Sequence, residues 1–417
     1  CLPATNFALT NASLTFPTLS TNPVATAEMG SSVALYVGDW NGDGVTDAMT
    51  WNPSIGTNKW FVNNGSLSFT TTTNPIAAAE ITGTSTSLRL GDWDGDGITD
   101  VMWFKASDGT NKWFTNTSTG GAPGFTQQTN IIPIANLTGG GLHILDYNGD
   151  ALTDAVFVNP YGGNTWYTNN GTATLSFAAN ASSLGFEELG PVEDPPDTLR
   201  VRTEIIADWN GDGQADVLTY YNPYGTSNRV YQWHLNNGSL GFTPAGTLTT
   251  TNTTQHHFGD WNGDGTADLL LYVASSGANS WYLNNGAAAF SLIAANPITT
   301  STIANTGYIL NVGDWNADGV SDVMFHLPSS GTNRWFTTSW SSAGALQFAY
   351  SADPVAASSL SGASGAIAFG DWNGDGFEDP MFRLASDGTN RWWRKTVAGP
   401  PDRLASVTTG LGSSTIV

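Results

Sequence analysis

The chain of 417 residues contains a single cysteine, Cys1. No disulfide within the chain and no cysteine-based zinc site can be built from it. Basic residues are scarce too: 13 Lys and Arg stand against 35 Asp and Glu, for a formal net charge of −22. This argues against nucleic acid as a partner, because phosphate binding needs clustered cations. The five histidines form no repeated motif apart from the adjacent His256 and His257, and no Ser or Cys nucleophile signature accompanies them. No apolar run is long enough to span a membrane, and helical periodicity is not sustained anywhere. A signal peptide and an initiating Met are also missing, so the chain is read as a processed or excised piece. Cys1 is read as the place where a fragment starts, the alternative being the lipid-modified N-terminus of a bacterial lipoprotein.

What is plentiful is Gly, Ser, Thr and Asn, a mixture that favours short strands and tight turns. The acidic residues are not spread through it. GDWNGDGVTD at 38–47 returns as GDWDGDGITD at 91–100, ADWNGDGQAD at 207–216, GDWNGDGTAD at 259–268, GDWNADGVSD at 313–322 and GDWNGDGFED at 370–379, with a weaker copy, LDYNGDALTD, at 145–154. Most of the acidic side chains lie in these seven segments, as expected of cation sites. The decamers recur every 52 to 62 residues, a period that belongs to propeller blades rather than helical solenoids.

Each period repeats one pattern. A short strand such as VALYV (33–37) leads into the decamer, and a second such as DAMTW (47–51) leaves it. A GTN turn opens a third, as in GTNKWF (56–61), and an NNG turn precedes a fourth, SLSF (66–69). Four strands make one blade. The spacing predicts an all-β fold, a seven-bladed β-propeller of four-stranded blades over residues 1–402, with the acidic loops on one rim. Residues 186–204 read as an insertion between blades three and four. Residues 403–417 have no place in a blade and read as a linker or the start of a following domain. Residues 11–24 match the outer-strand segment at 64–76, and the last repeat lacks that segment. The N-terminal strand is therefore expected to close blade seven; the alternative is the tail of a blade lost from the fragment.

Counted from its first Asp, each loop carries oxygen-bearing side chains at positions 1, 3, 5 and 9, and position 7 offers its backbone carbonyl. The first two sets are Asp39, Asn41, Asp43, Val45 and Asp47, then Asp92, Asp94, Asp96, Ile98 and Asp100. The third is Asp146, Asn148, Asp150, Leu152 and Asp154, and the fourth Asp208, Asn210, Asp212, Gln214 and Asp216. The fifth is Asp260, Asn262, Asp264, Thr266 and Asp268, and the sixth Asp314, Asn316, Asp318, Val320 and Asp322. The seventh is Asp371, Asn373, Asp375, Phe377 and Asp379. Alternate residues of a tight loop converge their oxygens, and a Gly at position 6 permits the sharp turn. Ca²⁺ takes six to eight oxygen ligands, whereas Mg²⁺ prefers to keep several waters; soft ligands for zinc or copper are missing. Up to seven Ca²⁺ ions are expected. In the third loop Ala151 replaces the Gly, so the site at 146–154 should be the weakest. Ala317, at position 4 of the sixth loop, should matter little.

Every third strand carries a Trp: Trp60, Trp113, Trp166, Trp233, Trp281, Trp335 and Trp392. Packing between blades is the ordinary role of such a residue. Trp60, Trp113, Trp335 and Trp392, which follow Lys59, Lys112, Arg334 and Arg391, are also read as ligand-binding platforms for sugar rings.

The D-x-[DN]-G-D-G-x-x-D loop with its G-T-x-x-W strand resembles the FG-GAP/VCBS repeat family over about residues 7–398. The resemblance implies a calcium-binding β-propeller, as in integrin-like heads and some fungal lectins, with the loop residues named above as ligands. The tail LASVTTGLGSSTIV (404–417) resembles the segment that leads into the YD-repeat (Rhs) shell of proteins related to the B components of insecticidal toxin complexes. That implies a propeller from a longer secreted bacterial protein.

The expected function is a non-catalytic, calcium-stabilised extracellular module for binding or assembly. Its partner would be a protein, a cell-surface glycan or the rest of a longer parent chain. A lectin with repeated Trp-bearing sites is the first alternative, and a polysaccharide lyase-type enzyme is the second. Secretion or bacterial cell-surface display is expected, because extracellular calcium modules bind with Kd of ~10⁻⁴–10⁻³ M and would stand empty in the cytosol.

Overall fold

The computed structural model describes residues 6–7, 16–118, 121–138, 141–150, 152–158, 165–171, 175–180, 203–223, 226–237, 242–251, 253–316, 318–341, 344–395, 407–408 and 414–415. Seven four-stranded antiparallel sheets form the seven blades of a β-propeller. Blade one runs Ala34–Gly38, Asp47–Trp51, Asn58–Asn63 and Phe69–Thr73 in spatial order, and blades two to six repeat the order. In blade seven the strands Gly365–Gly370, Asp379–Leu384 and Thr389–Arg394 are completed by Thr18–Thr21 from the N-terminal end. The expected closure is therefore present.

The sequence explains each strand's place. The second strand, Asp47–Trp51 in blade one, is buried at every position, as its near-continuous apolar run requires of a strand covered on both faces. The fourth, Phe69–Thr73, is mostly exposed and rich in Thr, which suits an outer edge.

Two cyclic sets of contacts join the blades. The first is aromatic. Each third-strand Trp meets a Phe of the next blade's outer segment, from Trp60–Phe125 at 4.9 Å between centroids to Trp335–Phe16 at 5.2 Å and Trp392–Phe69 at 5.1 Å. The same pairing joins Trp113 to Phe177, Trp166 to Phe242, Trp233 to Phe290 and Trp281 to Phe348. The second set is polar. The Asn63 amide, at the end of a third strand, donates to the Trp372 carbonyl of the preceding blade's loop at 2.8 Å. Asn116, Asn169, Asn236 and Asn284 do the same to Trp40, Trp93, Tyr147 and Trp209. Trp340 Nε1 and Lys395 Nζ replace the amide at the last two joints, reaching the Trp261 and Trp315 carbonyls at 2.7 Å. Both sets run through all seven joints, including the joint from blade seven to blade one, so the ring is continuous.

The insertion expected at 186–204 lies outside the described residues except for its last two, which belong to the strand Thr203–Ala207. The 403–417 segment lies outside them apart from two short strands. Val407–Thr408 pairs with Ser414–Thr415 and with Asn6–Phe7, in a small sheet separate from the blades. Among the described residues no helix is long and apolar enough to cross a membrane.

Candidate metal centres

Each decamer connects the first strand of its blade to the second, so all seven loops share one rim. Neighbouring loops touch: the Thr46 N–H donates to the Asp371 carbonyl at 2.7 Å, and the Ser321 N–H donates to the Asp260 carbonyl at 2.7 Å.

Within a loop the first Asp organises the turn. Asp39 Oδ1 accepts the N–H groups of Asn41, Gly42 and Asp43, and Oδ2 accepts that of Gly44 at 2.7 Å. Asp43 accepts the Val45 N–H at 2.9 Å and the Asn41 amide at 3.0 Å. The position-6 glycines take positive φ in the six loops that have them, for example +81° at Gly44 and +84° at Gly376. This is the left-handed region that a Cβ disfavours. Position 4 is left-handed as well, with φ of +74° at Gly42 and +75° at Gly263. The exchange to Ala317, expected to matter little, therefore falls where the other loops favour glycine. Ala317 and Ala151, the residue behind the expected weakness of the third loop, both lie outside the described residues.

Position 9 differs from the others. Asp47 is fully buried. Its Oδ2 accepts the Trp40 N–H at 3.1 Å and its Oδ1 the Asn63 N–H at 2.6 Å, so it ties the loop to the second and third strands. Asp100, Asp154, Asp216, Asp268 and Asp322 repeat both bonds. In the seventh loop Asp379 Oδ1 accepts the Lys395 N–H, while Oδ2 is buried without a partner. Burial, with help from the other carboxylates of the same loop, pushes these carboxyls up. Asp47, Asp100 and Asp268 rise to about 7, Asp154 and Asp216 to about 6, and Asp322 and Asp379 to about 8.

The donor set fits a hard cation. Oxygens of Asp92, Asp94 and Asp100 lie within 4.8 Å of one another, and two ligands on opposite sides of one Ca²⁺ stand up to ~5 Å apart. The orphaned Asp379 oxygen fits the same reading. Positions 1, 3, 5 and 9 of each loop supply the side chains that could hold an ion.

Position 9 thus carries two duties, and a prediction separates them. Asp47→Ala orphans two backbone N–H groups, at roughly 1–3 kcal/mol each. It should lower the melting temperature in calcium and in chelator alike. Asp43→Ala breaks contacts only in the exposed loop and should lower it in calcium alone. Equal melting of the two variants in chelator would refute the scaffold role of Asp47.

The third-strand tryptophans are not the platforms expected for sugar rings. Trp60, Trp113, Trp335 and Trp392 are fully buried. Each Nε1 donates to the Asn two positions earlier, at 2.8–2.9 Å, and the rings pack against the neighbouring blade. No ring face is open to a sugar. The cations before them are also engaged. Lys59 pairs with Glu28 and Lys112 with Glu80 from the connector that precedes their blade. Arg391 donates to the Ser359 carbonyl at 2.7 Å, and Arg334 lies over the Tyr308 ring at 5.7 Å.

Sequence reasoning missed the third-strand Asn residues, although they left a signal. Asn63, Asn116 and Asn284 each stand sixteen positions after a position-9 Asp. It also missed Lys395 and Glu378 at the joint of blades six and seven. Burial lowers the Lys395 ammonium, opposed by Asp322, Asp375, Asp314 and Asp379. Burial and then Asp314 raise the Glu378 carboxyl. The adjacent His256 and His257 are held neutral, with burial lowering both to about 4; His256 Nδ1 meets the Tyr231 hydroxyl at 3.1 Å.

A family model described as the FG-GAP-like repeat matches residues 39–103, 92–157, 208–271 and 270–325, together more than half of the chain. None of the curated proteins matches. Among solved structures, an Agrocybe aegerita lectin that recognises non-reducing terminal N-acetylglucosamine is similar, with 16% identity and a TM-score of 0.58 over 88% of this chain and 86% of that one. A Photorhabdus luminescens Tc holotoxin pore aligns with 14% identity and a TM-score of 0.48, over 97% of this chain and 16% of that one. An exotype rhamnogalacturonan lyase aligns with 13% identity and a TM-score of 0.45, over 96% of this chain and 76% of that one. At these identities the lectin likeness speaks to the fold alone, and the other two are too distant to argue from.

Proposed function

Since the chain belongs to the FG-GAP-like repeat family, we propose that it is a calcium-stabilised, non-catalytic binding or assembly module that works outside the cell. The observation that carries this reading is the rim itself: seven loops repeat one oxygen donor pattern on one face. In each, the position-9 Asp is buried next to the other carboxylates of its loop. Gathering buried carboxylates is costly; Lys395 offsets part of that cost in the sixth and seventh loops, and a divalent cation would offset it in every loop. The ligands would be positions 1, 3, 5 and 9 with the carbonyl of position 7. Extracellular calcium would fill such sites, which is the reason for placing the protein on a bacterial surface or in secretion.

The partner would be a protein, a glycan or further parts of a longer chain such as a YD-repeat shell. A lectin built on the repeated Trp residues is not supported, because those rings are buried. The lyase reading has little behind it, since His256 and His257 pack neutral within blade five.

Calcium calorimetry tests the proposal. Several ions should bind, with Kd on the order of 10⁻⁴–10⁻³ M. No heat at millimolar calcium would sink the metal reading. Turnover of an acidic polysaccharide by the same preparation would sink the non-catalytic one.

A further inference from the structure

At two joints between blades, a connector residue bridges to a third-strand cation. Glu28 meets Lys59 where blade seven passes to blade one, and Glu80 meets Lys112 where blade one passes to blade two. The connector motif NPVATAE (22–28) returns as NPIAAAE (74–80) and NPITTST (296–302). In the third copy, between blades five and six, Thr302 stands in place of the Glu. The facing cation, Arg334, lies instead over the Tyr308 ring. The bridge is absent from this joint, and a pocket of about 180 Å³ opens there, lined by Pro297, Thr299, Thr302, Phe336, Phe348 and Tyr350 among others.

The lining is specific to this joint. Tyr350 is opposite Phe336 on the outer strand. The equivalent positions in blades one, two and three are Thr71, Gln127 and Ala179. The Tyr350 ring stacks on the buried Phe336 ring at 4.9 Å and 26°, yet the residue is 49% exposed. One face is therefore held rigid from behind while a large part of the residue meets solvent. Thr299 and Thr302 add hydroxyls that can donate or accept. None of the lining side chains is charged.

We propose that this pocket binds one neutral sugar ring of a glycan, with Tyr350 as the stacking face and Thr299 and Thr302 as hydrogen-bond partners. A pyranose has an apolar C–H face that suits an aromatic ring and a rim of hydroxyls that suits threonines. An uncharged lining selects against uronic acids and phosphates. This inference rests on the binding-module reading and names one ligand class for it.

The test is saturation-transfer NMR in calcium with methyl glycosides of glucose, galactose, fucose and N-acetylglucosamine at millimolar concentration. At least one should show transfer, and Tyr350→Ala should weaken it at least tenfold. Thr302→Glu introduces the acid found at the joints of Glu28 and Glu80. It should bring Arg334 back into a bridge, fill the pocket and abolish binding without lowering the melting temperature. Absence of transfer from all four glycosides overturns the pocket proposal while leaving the module and its calcium sites standing. Transfer that persists in both variants also overturns it, since the glycan site would then lie elsewhere. A protein that fails to bind calcium in calorimetry fails the module reading first.

Discussion

Chelation of calcium is expected to lower the melting temperature by on the order of 10 °C. Millimolar calcium is about ten times a Kd of ~10⁻⁴ M, and a ligand at that excess adds ~1.4 kcal/mol per independent site when it binds only the native state. The unfolded chain does not converge the four side chains and one carbonyl of a loop, so that condition holds here. Six loops retain the position-6 glycine, and the joints transmit the effect, because each loop's position-2 carbonyl receives a bond from the next blade. Differential scanning calorimetry in millimolar calcium and in chelator provides the measurement. An unchanged melting temperature would mean that the decamers are turns and that their seven-fold recurrence has only a packing meaning.

The second expected result is a reversal with pH. In chelator the protein should melt higher at pH 5 than at pH 8. The position-9 carboxyls have an ordinary value of 3.8, and burial raises them to between about 6 and about 8. Between these limits the folded state holds protons that the unfolded chain has released. The stabilisation they provide is full below 3.8 and is lost as pH rises through the raised values. A tenfold gain in proton affinity on folding contributes ~1.4 kcal/mol per group, so seven groups acting in one window should be easy to see. Calcium should invert the trend, because it competes with those protons and binds best once they have left. The calcium-induced rise in melting temperature at pH 5 should be less than half of that at pH 8. A calcium effect independent of pH would detach the buried carboxylates from the metal.

Much of this architecture is legible in the residues because the chain states it seven times. The acidic decamers mark one rim, the apolar DAMTW-like runs mark the covered second strands, and the likeness of residues 11–24 to 64–76 marks the closing strand that pairs with Thr389–Arg394. What stays hidden is relational. Nothing at Glu28 announces Lys59, 31 positions away in the next blade. Trp340 and Lys395 do the work of asparagines without resembling them. Asp47 reads as a fifth loop oxygen, and its duty as an anchor emerges only when the Trp40 and Asn63 N–H groups are seen to converge on it. The Trp residues admit two readings because burial is a property of neighbours, and the neighbouring Phe comes from another blade.

The closing strand also sets a timetable. In blade one the Asn58 N–H bonds to Asn74 across 16 positions, and in blade seven the equivalent bond, from Asn390 to Asn22, spans 368. Loop-closure entropy rises as ~(3/2)RT ln n, so the long closure costs roughly 3 kcal/mol more than the short one if it is attempted first. It becomes cheap only after the intervening blades have assembled and carried the two ends together. Within the propeller, the strand that comes first in the chain is thus the one that must wait longest, and Thr389–Arg394 keeps a bare edge until it arrives. Refolding should accordingly end in a late, concentration-independent phase, and crowding of unfinished chains during that interval exposes an edge that a second copy's N-terminal strand could occupy instead.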